Sequence, residues 1–310
     1  MSSLLARFAE NIYWLGRYME RAENTARILH INETYAREHP DGPIWSDVLE
    51  LFSDTEAFQQ SNTRADAASV LRFYVLDRNN PTSITSAIIN ARENARSVRH
   101  LISTEMWTQI NIFHSRVLVL DEGDIRLSNL SRLAQGLVVE CQSFEGVTEG
   151  TLLRGEAWGF YHLGKYIERA DQTTRVLDIG YRRLSLTDQG TIGSVQWHAL
   201  LRSVSGYHAF RSRHPAASGP SDITNFLLYD DEFPRAVLLC VKKLTERLQD
   251  IEQRHDKQRH DQVEQARLRL TFALDTGSGS LQTPEALHGF LDRTQSSLAE
   301  LSSAISNTYF

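Results

Sequence analysis

Apolar residues recur at alternating spacings of three and four along most of this chain, the period of an amphipathic helix. Near the start, Ile12, Leu15, Met19, Ala22, Ala26 and Leu29 form one such stripe, and Phe160, Leu163, Ile167, Ala170, Thr174 and Leu177 form a second. The pattern predicts helices near 3–38, 44–58, 66–76, 82–101, 104–119 and 125–149. It predicts six more near 152–184, 192–207, 220–229, 233–255, 257–275 and 283–306. Breaks fall where Pro, Gly, Asn and Asp cluster: His39 to Pro43, Arg78 to Pro81, Asp121 to Asp124, His214-Pro215 and Gly277 to Ser280. No stretch combines strand alternation with hairpin turns, so the expected fold class is all-α.

The two stripes belong to segments that match residue by residue. Tyr13-Trp-Leu-Gly-Arg-Tyr-Met-Glu-Arg-Ala-Glu-Asn-Thr-Ala-Arg-Ile-Leu29 aligns with Tyr161-His-Leu-Gly-Lys-Tyr-Ile-Glu-Arg-Ala-Asp-Gln-Thr-Thr-Arg-Val-Leu177. The register continues through Trp45/Trp197, Leu49/Leu201, Ala57-Phe58/Ala209-Phe210 and Phe73/Phe226, to Asp77…Pro81 against Asp230…Pro234. Self-similarity over this length predicts an internally duplicated helical bundle. Its copies are 1–150 and 151–310, with a pseudo-twofold relation between them and a shared core. In each copy Pro81 or Pro234 is expected in the first turn of the next helix, where its missing N–H costs nothing.

Beside each apolar stripe runs a polar one: Tyr13, Gly16, Glu20, Asn24 and Arg27, then Tyr161, Gly164, Glu168, Gln172 and Arg175. Arg17, Arg21, Lys165 and Arg169 adjoin it. A solvated face would have diverged as the loops have, so this face is expected to meet protein or ligand. Two readings follow. One is a buried ion-pair network, Glu20 with Arg169 and Glu168 with Arg21, of the kind that fixes register at a desolvation cost. The other is a cleft in which Glu20 or Glu168 is the catalytic general base and these cations, with Tyr13, Tyr161, Asn24 and Gln172, hold a carboxylate substrate. Ion-pair networks are the commoner arrangement of such residues.

Composition narrows the picture. The net charge of −6 gives no basic face for nucleic acid. Of 33 basic residues, 29 are Arg, which suits bidentate anion recognition but also reflects codon bias. Arg92, Arg96 and Arg99 share a helix face, with Asn94 beside it, and are further candidates for anion binding. Two cysteines, Cys141 and Cys240, without ligand-like spacing, predict a reducing compartment and no disulfide. No leader-like N-terminus and no membrane-length apolar run are present, so a cytoplasmic location is expected. Glu252-x-x-His255 lacks the second copy a di-metal bundle needs. The acidic Asp230-Asp231-Glu232 is read as a helix cap rather than a magnesium site. The histidines show no ligand spacing, and no metal or cofactor is expected.

The doubled G-[RK]-Y-x-E-R-A segment, Ala-Arg-Glu-Asn-Ala-Arg at 91–96 and Phe233-Pro234-Arg235 resemble the bacterial alpha-E domain family, which is named for a Glu-Arg motif. The resemblance spans essentially the whole chain and places that motif at Glu20-Arg21 and Glu168-Arg169. It implies a component of a peptide synthesis or modification system, working with a circularly permuted ATP-grasp ligase and a transglutaminase-like protein. The role implied is partner or substrate-binding subunit; an enzyme in its own right and a structural scaffold are the alternatives. Phe233 and Arg235, replacing Asn80 and Thr82 of the first copy, are the expected partner-docking residues.

Overall fold

The structure, a computed structural model, describes residues 4–38, 45–186, 191–215, 219–254, 261–277 and 283–310. Fourteen α-helices and one π-helical turn, with no strand, are found among the described residues. The expected breaks at His39 to Pro43 and Ser278 to Ser280, and the His255 of the Glu252 pair, lie outside them.

The chain divides into two compact units. Trp14–Leu153 contains most of α1 (Ala6–Glu38), then α2 (Ser46–Phe52), α3 (Thr55–Gln59), α4 (Ala67–Leu71), α5 (Ile84–Ser97), α6 (Thr104–Leu118) and α7 (Leu127–Thr151). Within it α5 packs on α6, and α6 on α7. The other unit joins Met1–Tyr13 to Arg154–Phe310. It holds α8 (Glu156–Leu186), α9 (Thr191–Ser203), α10 (Tyr207–Arg213), α11 (Pro220–Tyr229), α12 (Val237–Glu252), α13 (Asp261–Gly277) and α14 (Pro284–Tyr309). Here α8 is the hub: α12 and α14 lie along it, α9 and α11 touch it, and α13 packs on α14.

Local chemistry sets the boundaries. Ser83, Ser103 and Thr283 cap α5, α6 and α14 by accepting from Ser86, Met106 and Ala286 backbone N–H at 3.1, 3.0 and 3.2 Å, satisfying donors that a helix start leaves open. The expected helix over 44–58 is in fact two. Ser53 adopts a left-handed backbone (φ 58°, ψ 32°) and ends α2. After α4 the chain widens into a π-helical turn, Arg72–Leu76, closed by Asp77 N–H to the Arg72 carbonyl at 3.0 Å. Two carbonyls of that turn are taken by side chains: Phe73 by Asn80 Nδ2 at 3.0 Å and Val75 by Thr85 Oγ1 at 2.6 Å.

Pro81 and Pro234 are not in the first turns of helices, as the spacing suggested. Each precedes its helix by three residues, at the second position of a turn closed by Ser83 N–H to Asn80 O (3.0 Å) or Ala236 N–H to Phe233 O (2.9 Å). The fixed φ of proline suits that turn position equally well.

Candidate functional site: the Glu-Arg helices

Helices α1 and α8 carry the polar stripes, and both are enclosed around nearly their whole circumference. No residue from Ile12 to Leu29 or from Trp158 to Leu177 is exposed. A helix buried on all sides is ordinarily apolar; these bury carboxylates and amides, with half-buried guanidiniums beside them.

On α1, Glu20 is 4% exposed and Asn24 6%. Asn24 Nδ2 donates to Glu20 Oε1 at 3.2 Å, one turn along the same face. On α8, Glu168 is 1% exposed and Gln172 6%. The Oε1 of Gln172 is buried with no hydrogen-bond donor among the described residues, a place where a water or ligand N–H would be accommodated. Lys165, also buried, sets Nζ 5.4 Å from the Tyr166 ring centroid. Arg17 lies over Trp14 at 4.9 Å and Arg21 over Tyr18 at 5.6 Å, so aromatic faces steer these cations.

Arg27 and Arg175 each pair with an acid one turn back on their own helix. Arg27 Nε and Nη2 reach Glu23 Oε1 at 2.9 and 2.6 Å, and Arg175 Nε reaches Asp171 Oδ2 at 2.8 Å. Each helix thus carries the same i,i+4 acid–arginine pair. Glu23 and Asp171 were left out of the expected stripe, although the retention of an acid four residues before each Arg was the signal for them. Tyr13 is anchored rather than open: its hydroxyl meets Ser302 Oγ at 2.8 Å and its ring lies 5.3 Å from Phe310. Tyr161 is buried and packs edge-on against His162.

His162 replaces Trp14 in the match between the helices and stacks among Trp158, Tyr161 and Tyr166. Burial, reinforced by Lys165, Arg247, Arg169 and Arg154, pushes its pKa down to about 3, so it is neutral at physiological pH.

Phe233 and Arg235, the expected docking residues, are enclosed by the fold rather than presented on its surface. Phe233 is 6% exposed and stacked on Phe226 at 4.7 Å, and Arg235 is 7% exposed. Their turn is instead held against α8, where Arg169 Nη1 donates to Pro234 O at 3.4 Å and Thr173 Oγ1 to Arg235 O at 2.9 Å. Contrary to expectation, Asp230 does not cap a helix with its side chain: its Oδ1 accepts from Glu232 and Phe233 N–H at 2.9 and 2.7 Å and closes the turn that precedes α12. Arg213 pairs with both Asp230 and Glu232.

Away from these helices, Arg92 and Arg96 flank Glu93, with Nη1–Oε1 and Nη2–Oε2 distances of 2.7 Å each. Those guanidiniums hold the Glu93 carboxyl below its ordinary pKa, Arg96 foremost. Arg92 Nε also reaches Asn111 Oδ1 at 3.0 Å, and Arg92 and Arg99 lie 5.5 and 5.4 Å from the half-buried Trp107 ring. Asn94 is half-buried beside this group. Burial and the neighbouring Arg92 and Arg78 lower the pKa of His114. The face is cationic within a chain of net charge −6.

Two enclosed helices with a Glu-Arg step on each match a described family. Its profile, a predicted alpha-helical domain with a conserved ER motif, fits residues 4–310. The chain belongs to the Alpha-E family. Similar proteins include uncharacterized proteins of Mycobacterium bovis and Mycobacterium tuberculosis, each 22% identical over 267 residues. The similar region covers 79% of this chain but 30% of each relative, so the Alpha-E chain spans about a third of their length. No solved structure matches it. Glu20-Arg21 and Glu168-Arg169, the Glu-Arg steps expected to carry that motif, both lie on the enclosed helices. No helix among the described residues is long and apolar enough to cross a membrane.

Proposed function

We propose that this chain is a partner subunit of a circularly permuted ATP-grasp ligase in a bacterial, cytoplasmic peptide synthesis or modification system, alongside a transglutaminase-like protein. The observation that carries this reading is the length relation: the matched region is 30% of each mycobacterial relative, so such a region occurs there joined to further chain. In those relatives the region works beside further chain, an arrangement that suits a partner role for it.

The burial of Glu20 and Glu168 favours a structural role for the motif, in which carboxylates and cations fix how the helices pack. The internal duplication is part of the same proposal. It is supported by paired features of α1 and α8, including Glu23–Arg27 and Asp171–Arg175. With Phe233 and Arg235 buried, the cationic face of Arg92 and Arg96 on α5 and Arg99 in the turn after it is the better candidate for ligase contact, since Arg96 and Arg99 are exposed. A second reading, substrate binding at the stripe itself, is favoured by the unmatched Gln172 oxygen.

Co-purification with a circularly permuted ATP-grasp protein of the same cell, then mass spectrometry of products with and without this chain, tests the proposal. A complex is expected that is lost in Arg96→Glu/Arg99→Glu and kept in Glu20→Gln. Absence of any complex overturns it. Turnover of a peptide by the isolated chain would transfer the case to the enzymatic reading.

A further inference from the structure

Two arginines converge on one aromatic ring. Arg92 of α5 and Arg99, in the turn that follows it, stand 5.5 and 5.4 Å from the ring centroid of Trp107 on α6. Arg92 is held in place: its Nε donates to Asn111 Oδ1 at 3.0 Å and its Nη1 to Glu93 Oε1 at 2.7 Å. Asn111 is itself tied down, donating from Nδ2 to the Trp107 carbonyl at 2.6 Å. Among the described residues, Arg92 Nη2 and the whole Arg99 guanidinium meet no acceptor.

Charge does not balance on this face. Its carboxylate, Glu93, is held from two sides by Arg92 and Arg96. Arg99 is left over, and so is the exposed Arg78. Arg78 lies close enough to His114 to help burial and Arg92 lower its pKa. Trp107, Asn111 and His114 share one face of α6 by their three-and-four spacing. The acid in the first turn of that helix, Glu105, lies about 200° round from Trp107. Like charges gathered on one face favour an anion beside them. Guanidinium forks fit carboxylates in particular, and Trp and Arg together are the residues that anchor protein interfaces. The net charge of −6 disfavours a long polyanion such as nucleic acid.

We propose that Trp107, Arg92, Arg99 and Arg78 form a docking face for an acidic segment of a partner protein. Its Asp or Glu carboxylates are taken by Arg99 and by the open Nη2 of Arg92. This rests on the partner reading above, with the ligase supplying the acidic segment.

The test has two arms, both on the full chain. In the first, fluorescein-labelled hexaglutamate is titrated and followed by anisotropy. Binding is expected that weakens as salt rises, falls roughly 10-fold in Arg99→Glu and is lost in Arg78→Glu/Arg99→Glu. In the second, calorimetry measures affinity for a circularly permuted ATP-grasp protein of the same cell, with and without unlabelled hexaglutamate. Competition is expected, as is a weaker complex in Arg99→Glu. Hexaglutamate that fails to bind, or binds Arg99→Glu as well as the wild type, overturns the face. So does an equal loss in Arg269→Glu, a charge reversal on the exposed side of α13, or equal binding of a labelled hexanucleotide. A ligase complex indifferent to hexaglutamate and to Arg99→Glu overturns the face and leaves the partner reading intact. Hexaglutamate bound through Arg99 without any ligase complex overturns the partner reading instead.

Discussion

Ser53 and Ser205 share one unusual backbone conformation: each has φ of 58°, and they are the non-glycine residues with positive φ among those described. Each ends a helix by the same pair of hydrogen bonds. Ser53 N–H meets Glu50 O at 3.0 Å and Asp54 N–H meets Leu49 O at 2.9 Å; Ser205 N–H meets Arg202 O at 2.9 Å and Gly206 N–H meets Leu201 O at 2.6 Å. The residues that follow repeat the relation, since Phe58 and Phe73 meet edge-on at 5.3 Å and their counterparts Phe210 and Phe226 at 5.4 Å. Shared strain at matched positions supports the proposed duplication more strongly than shared helices do, because nothing in serine favours that conformation.

The strain gives a first prediction. A left-handed conformation costs a non-glycine residue about 1–2 kcal/mol, whereas glycine gives back about 0.5–1 kcal/mol through unfolded-state entropy. Ser53→Gly and Ser205→Gly should each therefore stabilise the protein by about 0.5–1 kcal/mol, measured by urea unfolding. A loss of stability in either would show that the hydroxyl does more than the backbone does.

Glu20 is the subject of a second prediction. Its carboxylate is buried and accepts from Asn24, so Glu20→Ala leaves polar groups enclosed without a partner. The expected cost is about 3–5 kcal/mol, with a lowered Tm, while Glu20→Gln retains shape and one acceptor and should cost less. Calorimetry on both variants separates this from a catalytic role, in which activity disappears and Tm stays put.

A third prediction concerns pH. The folded-state pKa of His162, about 3, lies below its ordinary value of 6.5. The unfolded chain therefore takes up a proton first as pH falls. The stabilisation from the neutral, buried ring is complete above pH 6.5 and declines through the window from 6.5 down to 3, at about 1.4 kcal/mol per pH unit. Between pH 7 and pH 5 the wild type should lose about 2 kcal/mol from this group. His162→Phe should flatten that part of the stability profile, and an unchanged slope would place the sensitivity elsewhere.

The helices and the enclosed stripes were legible because both rest on periodicity and on residue types repeated in register. Glu20 and Glu168 could be read as shielded from the order kept between two segments. The break at Ser53 left no local trace, since serine neither breaks a helix nor favours positive φ. Asp178 and His288 form a hydrogen bond although they are 110 positions apart, beyond any spacing rule, so only the packing of α14 on α8 brings them together.

Phe233 shows the opposite case, a side chain read as a docking residue because an aromatic there replaces the polar Asn80 of the first copy. Its burial follows from a partner in space: it stacks on Phe226, and Gly206 leaves the room. A Cβ on Gly206 would stand 3.0 Å from Phe233 Cζ and 3.3 Å from Phe226 Cε1. Phe233→Ala should accordingly act on stability rather than on partner binding, at about 3–5 kcal/mol. Gly206→Ala, which pushes a methyl group against both rings, should cost about 1–3 kcal/mol. Both are measured by denaturant unfolding, with pull-down of the ATP-grasp protein run at a temperature where each variant remains folded. Stability lost with binding retained is the expected outcome; binding lost from a fully stable Phe233→Ala would return this turn to the interface.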